Sequence, residues 1–258
     1  MRPPRTKTPG RPAAWLVLAL GPALALVSAL AARAPAPLVV CCAGDSLMRP
    51  MPSYFRTLAP QEGLNLELRE WAQGGLNTET YPSFFRRNLA EGEGMRCDAI
   101  LLQLGTNDAV PLLEERTTPA EFRTRMTAIL AEFKKFPGQN RPRPVLFLAA
   151  VPLFCARPES AAKNRIVETV VNPLIREIAR IEGAVLVDQY AVLKDHPELY
   201  DPDCVHPNPA GEKALAQNWL NALRRVFSAG GLSSPPHPGA VHDFFRSAPQ
   251  TRRTQKKS

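Results

Sequence analysis

Five short apolar runs, at about 38–43, 64–69, 98–104, 144–151 and 184–188, alternate with stretches whose apolar residues recur at helical spacing, most clearly 119–136, 161–181 and 209–227. This alternation is what most limits the fold. Strands that follow one another through helices pair in parallel, and a parallel sheet needs helices on both faces. The predicted fold class is therefore α/β, a three-layer α/β/α sandwich around a five-stranded parallel sheet. At 258 residues the chain can build one such domain plus tails, and two would be cramped.

The ends read differently from the middle. Residues 1–33 carry five basic side chains and no acid, and residues 229–258 carry five against Asp243. Of the formal charge of +8, the ends hold +5 and +4, leaving −1 for the body. A near-neutral body without an aromatic-basic motif argues against a nucleic-acid partner. At the N-terminus, Arg2, Arg5, Lys7 and Arg11 precede the apolar run Ala13–Ala32, which ends in small residues. That is the layout of an export signal, and its length also allows an anchor that stays in the membrane. Residues 1–36 are read as signal or anchor with an Ala-Pro spacer, 37–228 as the folded domain, and 229–258 as a disordered basic tail. Either version of the N-terminus predicts a periplasmic or extracellular domain.

In open α/β sheets the chemistry gathers at the C-terminal ends of the strands. Here the first run ends in Gly44-Asp45-Ser46-Leu47, and the second is followed by Gly74-Gly75-Leu76-Asn77-Thr78. The third runs into Gly105-Thr106-Asn107-Asp108, and the last is followed after a loop by Asp203-Cys204-Val205-His206. Each alone reads as turn chemistry. Together they supply a hydroxyl nucleophile, two amide donors and an Asp/His pair, which are the parts of an acyl-transfer site. The sequence around Ser46 lacks the G-x-S-x-G of the α/β-hydrolase elbow. Of the four histidines, His237 and His242 fall in the predicted tail and His196 directly follows Asp195, so His206 is the candidate base.

The five cysteines show no metal-ligand spacing. Cys155 follows the fourth run and Cys204 lies in the loop beyond the fifth, so their loops could meet; that pair is the candidate disulfide, with two free thiols as the alternative. Cys41 and Cys42 both fall inside the first strand and are expected to be buried there as small apolar residues.

With these four blocks in this order over residues 38–228, the chain resembles a GDSL esterase of the SGNH hydrolase superfamily. The resemblance implies a flavodoxin-like SGNH fold, with Ser46 as nucleophile and first oxyanion donor through its backbone N–H. It implies Gly75 and Asn107 as further oxyanion donors, and Asp203 with His206 as the rest of a triad. The G-x-N-T pattern favours Gly75 over Gly74. It also implies hydrolysis without a metal or organic cofactor. The substrate would be a small-molecule, glycan or lipid ester, with a short-chain or glycan O-acetyl ester ahead of a lysophospholipid or thioester. An acyltransferase or a non-catalytic binding domain are the alternatives. Met48 stands where many relatives carry a small or hydroxyl residue, which bears on the acyl pocket.

Overall fold

The strands β1 (Leu38–Gly44), β2 (Leu66–Ala72), β3 (Ala99–Gln103), β4 (Val145–Ala150) and β5 (Val185–Asp188) pair in parallel in the order β2-β1-β3-β4-β5. The structure, a computed structural model, describes residues 36–89 and 96–227. The apolar segment Ala13–Ala32 and the basic tail 229–258 lie outside the described residues. Among the described residues no helix is long and apolar enough to cross a membrane.

β1, β3 and β4 occupy the middle and are buried along almost their whole length, which is why they read as unbroken apolar runs. β2 is an edge strand, LELREWA, whose charged residues sit half in water, and it begins two residues later than the apolar run suggests.

The helices are α1 (Met51–Leu58), α2 (Tyr81–Leu89), α3 (Ala109–Leu113), α4 (Pro119–Phe133), α5 (Ala161–Ile166), α6 (Asn172–Glu182), α7 (Gln189–Leu193) and α8 (Pro209–Phe227). α4 starts where its sequence dictates: Thr118 caps the first turn, Glu121 reaches back to the Thr118 N–H, and Pro119 takes the first helical position. The helix expected at 161–181 is interrupted by a π-helical turn, Val167–Val171, between α5 and α6. The helix expected to reach 136 ends at Phe133. The helices α1, α2, α3 and α7 are too short for periodicity to reveal them.

Because side chains alternate across a strand, the sheet has two separate cores. One face packs Cys41, Ala43, Leu102 and Leu148 against Phe85, Phe122, Phe133 and Ile175. The other packs Val40, Cys42, Leu101 and Phe147 against Phe55, Trp219 and Leu223. Each large side chain so buried contributes about 1.5–3 kcal/mol. At the N-terminal edge, the buried Asp98 carboxylate accepts from the backbone N–H groups of Val39, Gln139 and Asn140 and from Asn140 Nδ2, tying β1, β3 and the approach to β4 together.

The same alternation corrects the expectation for Cys41. Cys41 and Cys42 face opposite cores, and Cys41 meets Cys97, which precedes the neighbouring β3. The two form a disulfide with Cα atoms 6.0 Å apart. The second disulfide is the expected one, Cys155–Cys204, with Cα atoms 4.7 Å apart. Cys42 is the one free thiol, buried, with its ionisation suppressed by desolvation. When the protein is denatured without reductant and alkylated, intact mass should therefore show a single alkyl group, and five only after reduction. Three or more groups before reduction would contradict the bridge assignment.

Candidate active site

β1 delivers the serine through a turn that only glycine permits. Gly44 has φ +145°, and a Cβ built on it would lie 1.9 Å from the carbonyl oxygen of Gln103 on β3. Asp45 then organises the turn. Its N–H donates to Gln103 O at 3.1 Å, its Oδ1 accepts from Leu47 N at 3.0 Å, and its carbonyl accepts from Met48 N and Arg49 N. Ser46 is held partly buried in this turn.

The hydroxyl of Ser46 meets His206 Nε2 at 2.9 Å, and His206 Nδ1 lies 2.6 Å from Asp203 Oδ2. An ionised carboxylate can only accept, so Nδ1 carries a proton, and in the neutral ring Nε2 then presents its lone pair to the serine hydroxyl. The other oxygen of Asp203 accepts from the backbone N–H groups of Val205 and His206, both at 2.9 Å. Partial desolvation pushes the Asp203 carboxyl up, but the hydrogen bonds from the His206 ring, His206 N–H and Val205 N–H together bring it down to about 2. Asp203 therefore stays ionised to lower pH than an ordinary aspartate. The structure does not bring His196 to this place; its ring pairs with Glu198 in solvent at 2.9 Å. His237 and His242 lie outside the described residues.

The glycine block runs past the serine. A Cβ on Gly74 would lie 3.7 Å from Ser46 Cβ, and Gly75 adopts the left-handed φ of +80° that favours glycine. Among the described residues, the N–H groups of Ser46, Gly74 and Gly75 have no hydrogen-bond partner. Asn107 reaches the same loop, donating one Nδ2 hydrogen to Leu76 O at 2.9 Å.

Asp108, for which sequence reasoning assigned no role, is the clamp between the two loops. Its carboxylate accepts from both the N–H and the hydroxyl of Thr78. The signal was present in the facing motifs G-L-N-T and G-T-N-D, which place a hydroxyl donor and a carboxylate acceptor at matching ends. Desolvation raises the Asp108 carboxyl to about 6 despite the Thr78 hydrogen bonds. Desolvation likewise raises the fully buried Asp45 to about 7, with the Leu47 hydrogen bond opposing and the nearby Asp108 adding to the rise. Among the described residues no three His, Cys, Asp or Glu side chains stand together as a metal-binding group.

Comparison with known proteins agrees with this architecture. The model of the GDSL-like Lipase/Acylhydrolase family matches residues 42–214. An acetylxylan esterase of Xylanibacter ruminicola is 21% identical over 161 residues, which is 58% of this chain and 33% of that protein. The chain thus spans about a third of the length of this curated relative. Among solved structures, a lipase/acylhydrolase from Enterococcus faecalis superposes with a TM-score of 0.59 at 17% identity, covering 74% of this chain and 97% of that one. Axe2, an acetylxylan esterase from Geobacillus stearothermophilus, gives a TM-score of 0.56 at 16% identity, covering 72% and 94%. At these identities the solved structures speak for the shared fold.

The buried carboxyls predict a pH dependence of stability. Asp45 and Asp108, raised to about 7 and about 6, hold protons in the folded chain that an unfolded aspartate, titrating near ~3.9, has already lost. Folding therefore binds protons between pH ~4 and ~7, and stability is fully present below the unfolded value and lost as pH rises through the folded one. Asp203 acts with the opposite sign, but only between about 2 and its ordinary value. Asp45→Asn keeps the acceptor for Leu47 N and removes the charge, so the variant should lose less stability than the parent between pH 4 and 8, by on the order of a few kcal/mol. Chemical denaturation at both pH values measures it; equal losses in parent and variant would contradict the assignment.

Proposed function

The chain belongs to the GDSL-like lipase/acylhydrolase family, and on that premise we propose that it is a serine esterase working through an acyl-enzyme. The observation that carries the reading is the unbroken hydrogen-bonded chain from Ser46 through His206 to Asp203. Ser46 Oγ attacks the ester carbonyl as His206 Nε2 takes its proton. Asp203 holds the imidazole tautomer and stabilises the imidazolium. The oxyanion of the tetrahedral intermediate accepts from the N–H groups of Ser46 and Gly75 and from the remaining Nδ2 hydrogen of Asn107. Each such donor supplies about 3–4 kcal/mol of transition-state stabilisation. His206 returns its proton to the departing alcohol. It then takes one from a water that attacks the acyl-Ser46 ester and gives it to Ser46 Oγ as that ester bond breaks, releasing the acid and restoring the free serine.

A short acyl group, as in an O-acetylated glycan, is the favoured substrate. Support comes from the acetylxylan esterases among the similar proteins. Two disulfides among five cysteines fit an oxidising compartment. That agrees with reading the N-terminal apolar segment as an export signal or anchor ahead of a hydrolase domain at 37–228, with 229–258 as a tail. The neighbour named a lipase/acylhydrolase keeps a second reading open, in which longer acyl chains are preferred.

A series of p-nitrophenyl esters from acetyl to octanoyl separates the two. With a small acyl site, kcat/KM should fall by at least ~10-fold across the series, as extra methylenes find no room. All of it should vanish in Ser46→Ala. A rising series would transfer the assignment to lipid-like esters, and turnover that survives Ser46→Ala would overturn the esterase reading itself.

A further inference from the structure

The loop that carries Asp203 and His206 is bonded mostly to itself. Asp201 N donates to His206 O at 2.8 Å, Cys204 N to Asp201 O at 3.0 Å, and Tyr200 pairs with Pro207 across the loop neck. Such a loop is rigid internally, yet its internal bonds say nothing about where it stands relative to Ser46. Among the described residues, apart from the His206–Ser46 contact, its covalent and hydrogen-bonded ties across the site run to one place, the segment that leaves β4. Cys204 is bridged to Cys155, and Cys155 N also donates to Cys204 O at 2.9 Å. Tyr200 Oη donates to Leu153 O at 2.6 Å.

That receiving segment is itself fixed. Asn172 both accepts from Val151 N at 2.8 Å and donates to Val151 O at 2.9 Å. Asn164 does the same for Phe154, at 2.8 and 3.0 Å. Two side-chain amides thus satisfy the segment's backbone as a neighbouring strand would. Asn172 stands directly after the π-helical turn, and the turn's Val171 lies against Gly105 of the Asn107 loop, 3.3 Å from where a Cβ would be. The segment is therefore located against the same frame that locates the other side of the site.

We propose that Tyr200 is a positioning residue for the triad, its phenol and the Cys155–Cys204 bridge being two partly redundant fastenings that hold the His206 loop on the segment Val151–Cys155. The inference rests on the esterase reading above, since Tyr200 acts only through His206. Burial pushes the Tyr200 hydroxyl well above its ordinary value, so it remains a donor throughout the working pH range. Its acceptor is a backbone carbonyl, which Tyr200→Phe leaves in place while removing one hydroxyl.

The test is a cycle of Tyr200→Phe made in the parent and in a Cys155→Ala/Cys204→Ala background. It is followed by kcat and KM on p-nitrophenyl acetate and by the NMR signal of the His206 Nδ1 proton. Redundant fastenings predict a kcat loss of ~2- to 3-fold in the bridged chain and ~10-fold or more without the bridge, with KM within about twofold in both. The Nδ1 proton signal should shift or broaden in the same order. A phenol that merely adds stability would lower the unfolding temperature while leaving the His206 signal, and kcat measured well below that temperature, unmoved; that result overturns the proposal. Equal kcat losses in the two backgrounds, or a change confined to KM, overturn it as well. Should the bridge-free chain not fold, the signal in Tyr200→Phe alone decides, and an unmoved signal counts against it. If the parent shows no Ser46-dependent turnover, the esterase reading fails on its own, and the NMR arm still tests the fastening.

Discussion

One contact organises this molecule: the hydrogen bond between Ser46 and His206, residues 160 positions apart in sequence. Ser46 leaves β1 and His206 follows β5, and the sheet order puts β3 and β4 between them. At the usual strand spacing that separation is roughly 14 Å, which the loop after β5 must span in the right orientation. Both sides of the contact are built to meet this demand. On the serine side, Gly44 lets β1 run so close to Gln103 that any Cβ would collide, and Asp45 caps the turn with its side chain and carbonyl. On the histidine side, a self-bonded loop is moored to the exit of β4. A displacement of about 1 Å at a reacting centre can remove two orders of magnitude in rate, which is why the proposed esterase reading gives the mooring a part in chemistry as well as in stability.

Three aspartates around this contact show how environment sets charge. Asp203 stands at the solvent edge with hydrogen-bond donors on both oxygens and is driven down to about 2. Asp45 and Asp108 are buried beside Ser46 and Asn107 in the chain, and desolvation drives them up to about 7 and about 6. The outcome depends on which influence is larger at each place. For Asp203 the summed hydrogen bonds outweigh partial desolvation; for the other two, burial outweighs one or two good donors. Negative charge is thus kept beside the His206 ring, where the proposed mechanism forms an imidazolium, and is limited at the buried Asp45 and Asp108. Asp108 shows why a buried carboxyl is worth keeping, since it joins the loop of Asn107 to the loop of Gly75 through Thr78.

Much of this was legible in the sequence, for identifiable reasons. β1, β3 and β4 are buried on both faces and so appear as uninterrupted apolar runs, whereas β2 is half-wet and its boundaries were misplaced. The four blocks at strand ends could be read because their backbone demands and their chemistry coincide in glycine, serine, asparagine, aspartate and histidine. The Cys41–Cys97 bridge is not legible because cysteines inside a strand read as small apolar core residues, although alternation sends Cys41 and Cys42 to opposite cores and brings only Cys41 to Cys97. Short helices such as α3 leave no periodic trace, and the π-helical turn Val167–Val171 shifts the helical spacing over too few residues to show against the pattern on either side. Tyr200 could not be found from sequence at all. Its partner is a backbone carbonyl 47 residues away, and main-chain acceptors carry no residue identity.

The central claim is that Ser46 is a nucleophile activated by His206. Reaction with a fluorophosphonate, followed by peptide mass mapping, tests it without any assumption about the natural substrate. The account predicts one phosphonyl group per chain, on Ser46, with labelling slowed by orders of magnitude in His206→Ala and unaffected in His196→Ala. A label on another serine, or labelling of Ser46 at an undiminished rate without His206, would contradict it.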